Sequence, residues 1–125
     1  MKLPRILLVE DEILIRMFMK KQLEKHGLTV AAETGDSRDV EDLVLSKTPD
    51  LVFLDVRLEG PLSGTDLAPI ILKRSSAAMV FVSAYELPSH LIPGDPRVLG
   101  VYQKPLAQNS VKEILGRWNE YLVST

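Results

Sequence analysis

The feature that most constrains the fold is an alternation, repeated along the chain, between short apolar runs and longer segments with helical spacing. The first run, from Arg5 to Val9, is apolar after its first residue and stops at acidic residues, which is typical of a buried strand. The segment that follows places Ile15, Met19 and Leu23 on one helical face, with lysines opposite. Strands that alternate with helices predict a parallel sheet covered on both faces.

Four more apolar runs complete the pattern, and the chain therefore has five strand candidates. With right-handed crossovers, this length suits an α/β fold with a doubly wound, five-stranded parallel sheet of order 2-1-3-4-5, as in flavodoxin. The segment 86–97 is an exception, because Pro88, Pro93 and Pro96 forbid a long helix there. We expect a short or mobile fourth helix. The later runs lie at 28–32, 51–54, 79–82 and 98–102, and the later helices begin at Asp36 or Ser37, at Thr65 and at Asn109.

Bulk composition excludes several classes of function. The chain has 125 residues, so we expect one domain over 1–125. The net charge of -2, without a basic cluster, argues against direct binding to nucleic acid. The absence of cysteine excludes disulfides and thiolate chemistry. No apolar run approaches the roughly 20 residues of a membrane span, and we therefore expect a cytoplasmic protein.

Polar residues follow four of the predicted strands at the point where each strand ends. Glu10 and Asp11 follow the first strand, Asp55 the third, Ser83 the fourth and Lys104 the fifth. A fold of this class binds its ligand at the carboxyl ends of its strands, beside the switch point between strands 1 and 3. We therefore expect these side chains to share one crevice.

The carboxylates in that crevice point to a metal ion. Carboxylates that converge repel each other unless they bind protons or a cation. A set of oxygen ligands without histidine or cysteine suits Mg²⁺ or Mn²⁺. We assign Asp11 as a direct ligand, Glu10 as a direct or water-mediated one, and Asp55 and the backbone carbonyl of Arg57 as further oxygen donors. No organic cofactor is predicted.

The same crevice suits phosphoryl transfer onto a carboxylate. A metal on one side and Lys104 on the other would stabilise the charge of a phosphoryl group arriving at Asp55. The product would be an acyl phosphate. Ser83 could then donate a hydrogen bond to a phosphoryl oxygen and draw its strand into a second state.

Four short stretches carry a resemblance to a known family: Leu7 to Glu12, Asp50 to Asp55, Phe81 to Ala84, and Gln103 to Pro105. In this order, each at a strand end, they resemble the receiver domain of two-component response regulators over essentially the whole chain. The resemblance implies that Asp55 takes its phosphoryl group from a phosphohistidine of a sensor histidine kinase or a histidine phosphotransfer protein. It also implies that Lys104 and Ser83 form a switch pair, that the bond before Pro105 is cis, and that a downstream protein reads the phosphorylated state.

Two departures from the common receiver pattern concern the switch. Most receivers carry an aromatic residue three positions before the lysine, but Val101 stands there. Tyr102 and Tyr85 are the candidate replacements. The loop after Asp55 is also one residue longer than usual. Together with the stretch from Phe81 to Tyr85, this loop resembles a receiver subgroup that carries a Phe-Ala-Thr-Gly-Tyr-like sequence after strand 4. The resemblance implies a stand-alone regulator.

Three alternative functions are weighed against a phosphoacceptor switch. A phosphatase that turns over a small substrate through an aspartyl phosphate would carry a second acid two residues after the nucleophile, but Arg57 is there. A flavin carrier would need a phosphate-binding loop after strand 1, where Glu10 and Asp11 would repel a phosphate. A degenerate receiver that serves as a protein-binding scaffold would lack key residues that this chain retains. We therefore expect a switch and not an enzyme with a separate substrate.

Overall fold

A computed structural model describes residues 2–125 as a parallel five-stranded sheet packed between four α-helices. All strand pairs are parallel and the strand order is β2-β1-β3-β4-β5, which confirms the predicted fold class. The strands are β1 (Arg5–Val9), β2 (Thr29–Thr34), β3 (Leu51–Asp55), β4 (Ala78–Ser83) and β5 (Val98–Gln103), and the helices are α1 (Ile13–Lys25), α2 (Ser37–Lys47), α3 (Gly64–Arg74) and α4 (Gln108–Ser124).

The core consists of two hydrophobic layers, one on each face of the sheet. Residues of β1 alternate between them, with Ile6 and Leu8 in the layer under α1 and α4, and Leu7 and Val9 in the layer under α2 and α3. The inner strands β3 and β4 are buried along their whole length. Because these strands are held on both faces, the residues at their carboxyl ends are fixed by the core.

Two helix starts are capped by their own sequence. The Asp36 side chain accepts a hydrogen bond from the backbone N–H of Arg38 at 2.8 Å, as predicted for the start of α2. Ser63 and Asp66 form a reciprocal capping box at the start of α3. These caps fix the residue at which each helix begins.

The connecting segment between β4 and β5, residues 84–97, contains only a 3-10 turn at Ser89–Leu91. The prediction of no more than a short helix between β4 and β5 is therefore confirmed, and the three prolines are the reason. Arg97 ends the segment and donates hydrogen bonds from its guanidinium to the carbonyl oxygens of Leu72 and Ser75, at the end of α3. An arginine at the last carbonyls of a helix stabilises that helix terminus.

Helix α1 exposes several apolar side chains on the face that was expected to carry lysines. The exposed fractions are 63% for Ile13, 79% for Leu14, 51% for Met17 and 44% for Phe18. The outer face of α1 is thus only partly charged, and the expectation of lysines opposite the core was incomplete. Among residues 2–125, no helix has both the length and the apolar character that crossing a lipid bilayer requires.

Candidate functional site

The crevice lies at the carboxyl end of the sheet, where the strands β1, β3, β4 and β5 end. The structure brings together there the predicted residues of all four strand ends. Asp55 is the last residue of β3 and Ser83 the last of β4, and their strands are paired. The side chains around the opening are Asp11, Glu12, Asp55, Arg57, Ser83, Ala84, Tyr85 and Lys104.

Three carboxylates converge in this crevice. One carboxylate oxygen each from Glu10, Asp11 and Asp55 lies within 4.8 Å of the other two. Glu10 is fully buried and Asp55 is 6% exposed, whereas Asp11 lies partly open to solvent. Hard oxygen donors at this spacing fit a divalent cation such as Mg²⁺, with Asp11 on the side from which the ion can enter.

Lys104 supplies a positive charge opposite the carboxylates. Its Nζ lies 3.0 Å from Asp55 Oδ2 and also contacts Glu10 Oε1, and its side chain is only 10% exposed. The Lys104 backbone N–H donates to the carbonyl of Ser83 at 2.8 Å, and the bond to Pro105 is cis, as the resemblance implied. Lys104 is therefore fixed by its backbone as well as by its ion pairs.

The charge balance of the crevice favours a further cation. Burial raises the pKa of Glu10, the neighbouring Asp55 raises it further, and Lys104 only partly opposes them. Burial and the proximity of Glu10 raise the pKa of Asp11. Burial would lower the pKa of Lys104, but its hydrogen bonds to Glu10 and Asp55 outweigh that effect and raise it. One lysine therefore does not neutralise the group, and a divalent ion would.

The backbone around Asp55 is closely packed. The N–H of Arg57 points at Asp55 Oδ1 over 3.4 Å, and the N–H of Gly64 donates to the carbonyl of Val56 at 2.8 Å. A Cβ at position 64 would collide with the carbonyl oxygen of Asp55. Gly64 is thus required for the start of α3 to approach the crevice, a role that the sequence analysis did not assign to it.

Ser83 is hydrogen-bonded and still has a proton to give. Its Oγ accepts a hydrogen bond from the N–H of Tyr85 at 3.1 Å. A hydroxyl that accepts one bond can donate another. Ser83 can therefore donate to a ligand in the crevice without losing its contact with the connecting segment.

The two aromatic switch candidates occupy different environments. Tyr85 is 65% exposed at the crevice, with the Arg57 guanidinium 5.0 Å from its ring centroid. Tyr102 is buried in the layer under α1 and α4, where the Arg117 guanidinium lies 5.6 Å from its ring. The structure does not bring Tyr102 to the crevice, because its position on β5 points it into the core. The stacking of Arg57 on Tyr85 was not predicted, since the two residues are distant in sequence.

Comparison with known proteins agrees with this geometry. The family described as "Response regulator receiver domain" matches residues 6–115. The transcriptional regulatory protein PdtaR of Mycobacterium tuberculosis is 35% identical over 81 residues, which cover 65% of this chain and 39% of PdtaR. The phyllosphere-induced regulator PhyR of Methylorubrum extorquens is 27% identical over 114 residues, or 90% of this chain and 42% of PhyR. The chain thus spans less than half the length of these two relatives.

Solved structures show the same fold. The signal receiver domain of a modulated diguanylate cyclase from Desulfovibrio desulfuricans G20 superposes with a TM-score of 0.85 at 21% identity, covering 99% of this chain and all of that one. The anti-anti-sigma factor PhyR from Bartonella quintana superposes with a TM-score of 0.83 at 22% identity, covering 99% of this chain and 50% of that one. At these identities the structures establish the architecture alone.

Proposed function

The chain belongs to the response regulator receiver domain family, and on that premise we propose that it is a phosphoacceptor switch whose acceptor is Asp55. Receiver domains are signalling switches and not enzymes that turn over a separate substrate. The observation that carries the proposal is the contact of Lys104 with both Asp55 and Glu10, inside a crevice that also holds Asp11. The Asp55 carboxylate thus lies between the Lys104 ammonium and the carboxylates of Glu10 and Asp11, which supports its assignment as the acceptor.

The proposed reaction moves a phosphoryl group from a phosphohistidine to Asp55. A carboxylate oxygen of Asp55 bonds to phosphorus while the P–N bond to the imidazole breaks. The imidazole nitrogen keeps the bonding electron pair, and the product on this chain is an acyl phosphate. The donor would be a sensor histidine kinase or a histidine phosphotransfer protein.

Asp11, Glu10, Asp55 and the backbone carbonyl of Arg57 would hold Mg²⁺, or Mn²⁺ in its place. Such an ion stabilises the negative charge that phosphoryl oxygens carry during transfer. Glu10 is buried and tied to Lys104, and its Oε2 accepts a hydrogen bond from the N–H of Glu12 at 3.1 Å. It therefore suits a water-mediated role, while the more open Asp11 suits direct contact with the ion.

Lys104 and Ser83 would read the phosphoryl group. Lys104 Nζ already touches Asp55 Oδ2 and would transfer this contact to a phosphoryl oxygen. The Ser83 hydroxyl would donate to another oxygen and carry Tyr85 with it, because the two are hydrogen-bonded. Tyr85 would therefore be the aromatic residue that changes position, and not Tyr102.

A phosphodonor protein has an apolar surface on which to dock beside the crevice. The exposed side chains Leu14 and Phe18 of α1 adjoin Pro105 and Leu106, and this apolar cleft reaches the crevice at Glu12 and Lys104. An amphipathic helix that carries the phosphohistidine would bury this surface while its imidazole faces Asp55. A downstream protein would instead bind the surface of the connecting segment, β5 and α4, which follow Ser83 and Lys104 along the chain.

The test is the intact mass of the protein after incubation with phosphoramidate and Mg²⁺. We expect the addition of one phosphoryl group to the wild type, no addition to Asp55→Asn, and no addition when Mg²⁺ is removed by a chelator. Asp55→Asn retains the size of the side chain, and its far-UV circular dichroism should match the wild type. Equal labelling of wild type and Asp55→Asn would contradict the assignment of the acceptor. An unlabelled wild type that also fails to bind beryllofluoride would favour a protein-binding scaffold.

A further inference from the structure

The loop that carries Glu10 and Asp11 is fastened from outside the crevice by Arg16. From α1, the guanidinium Nη1 donates to the backbone carbonyl oxygen of Glu10 at 2.8 Å. Its Nε lies 3.2 Å from Glu33 Oε1, on β2, and the side chain is only 20% exposed. Arg16, on α1, thus connects the Glu33 side chain of β2 to the peptide group that links Glu10 to Asp11.

The backbone next to this peptide group is also held in place. The N–H of Glu10, which belongs to the preceding peptide group, donates to the carbonyl of Thr34 at 2.9 Å. A Cβ at Gly35 would lie 2.8 Å from the Asp11 Cα and 2.9 Å from Arg16 Nη1, so only glycine leaves room for the guanidinium. The orientation of both carboxylates therefore depends on a backbone that Arg16 holds in place.

We propose that Arg16 is a positioning residue for metal binding, which sets the direction of Asp11 and Glu10 without touching the ion. The inference rests on the proposed function, because it requires a divalent cation at this cluster. Loss of a partner that orients metal ligands from behind typically weakens metal affinity by about 10- to 100-fold. The planar fork of arginine presents separate donors to the Glu10 carbonyl and to Glu33, whereas a lysine has one compact ammonium group on a flexible stem.

Lys20 provides a matched control. Its Nζ lies 2.9 Å from Glu33 Oε2, so it pairs with the same carboxylate as Arg16. Among the described residues, no hydrogen bond or ion pair joins Lys20 to the loop of Glu10 and Asp11. Replacing each residue by methionine keeps an apolar stem and removes the charge, and only the Arg16 variant releases the loop.

The experiment is titration of the metal-free protein with Mn²⁺ by calorimetry. We expect Arg16→Met to weaken binding about tenfold, Arg16→Lys to restore little of it, and Lys20→Met to stay within about twofold of the wild type. Amide resonances of Asp11 and Glu12 in metal-free Arg16→Met should broaden, whereas those of Lys20→Met should not.

The outcomes separate this inference from the function on which it rests. Equal Mn²⁺ affinity of wild type and Arg16→Met, with binding that is lost in Asp11→Asn, would overturn the role of Arg16 alone. Absence of Mn²⁺ binding by the wild type would overturn the metal site and this role together. If Arg16→Met does not fold, Arg16→Lys decides, because full affinity in that variant would contradict the need for the two-pronged contact.

Discussion

The crevice and the connecting segment, residues 84–97, adjoin at Ser83 but are held by different contacts. In the crevice, Glu10 and Asp55 are buried at the ends of strands that the core covers on both faces, and Lys104 ties them together. In the connecting segment, the backbone N–H groups of Leu91 and Ile92 donate hydrogen bonds to the carbonyls of Pro88 and Ser89, which are only three residues away in sequence.

This difference suits a switch. A site that must position a phosphoryl group needs a rigid frame, whereas a region that reports the event needs alternatives of similar free energy. Ser83 belongs to both regions, because it ends β4 and is bonded to Tyr85. A change at the crevice can therefore reach the connecting segment through Ser83, beside the contact of Arg57 with the Tyr85 ring.

The largest expected effect is the loss of the fixed cation. Lys104→Met removes the charge opposite Asp55, and we expect phosphoryl uptake from phosphoramidate to slow about 10²- to 10³-fold. As a control, Lys112, an exposed lysine of α4, is also replaced by methionine. Rates from intact-mass time courses would show the contrast, and similar rates for the two variants would mean that Lys104 does not assist transfer.

Stability gives a second contrast between the two regions. Leu54 in β3 is fully buried, and Leu54→Ala should lower the free energy of unfolding by about 2–5 kcal/mol. Leu91 in the connecting segment is 42% exposed, and Leu91→Ala should cost less than about 0.5 kcal/mol. Urea denaturation measures both. A cost for Leu91→Ala as large as that for Leu54→Ala would show that the connecting segment is part of the rigid frame.

Lowering the pH should increase the contribution of the crevice to the free energy of unfolding, and it should decrease the contribution of an exposed ion pair. Burial raises the pKa of Glu10 above its ordinary value of 4.5, so its contribution to stability is full below pH 4.5 and is lost as pH rises through the raised pKa. The difference in unfolding free energy between wild type and Glu10→Gln should therefore fall as pH rises above 4.5.

Asp36 supplies the opposite sign. Its hydrogen bond from Arg38 lowers its pKa from 3.8 to about 2, so its contribution is present above pH 3.8 and is lost as pH falls towards 2. The difference in unfolding free energy between wild type and Asp36→Asn should therefore become smaller as the pH is lowered. Urea melts at several pH values measure both differences, and the same trend in the two pairs would contradict the pKa of Glu10 being raised.

The smallest expected effect concerns the ring that stacks under Arg57. Tyr85→Ala removes an exposed contact whose strength is about 0.5–1 kcal/mol at most, so the melting temperature should barely change. Tyr85→Phe keeps the ring and should match the wild type in every respect. If Tyr85 reports phosphorylation, the alanine variant should still take up phosphate but lose affinity for a downstream partner. Unchanged partner binding would move the switch role elsewhere.

The sequence was sufficient to predict the sheet order and the convergence of Asp55, Asp11 and Lys104, because strand ends of a parallel sheet meet at one edge. It also predicted the interrupted helix from its prolines. It did not predict that Glu10 would be fully buried, nor that Tyr102 would lie in the core, because burial depends on which neighbours cover a residue. The contacts of Arg16 and Arg57 were likewise invisible, since each depends on a side-chain direction set by tertiary structure.

The most direct test of the central claim identifies which side chain carries the phosphoryl group. After incubation with phosphoramidate and Mg²⁺, borohydride reduces an acyl phosphate to an alcohol and releases phosphate, which converts a phosphorylated aspartate into homoserine. Peptide mass spectrometry should find homoserine at position 55 in treated protein and aspartate there in a sample that received no phosphoramidate. Homoserine at another aspartate, or none at any position in a protein that had gained a phosphoryl group, would contradict the assignment of Asp55 as the acceptor.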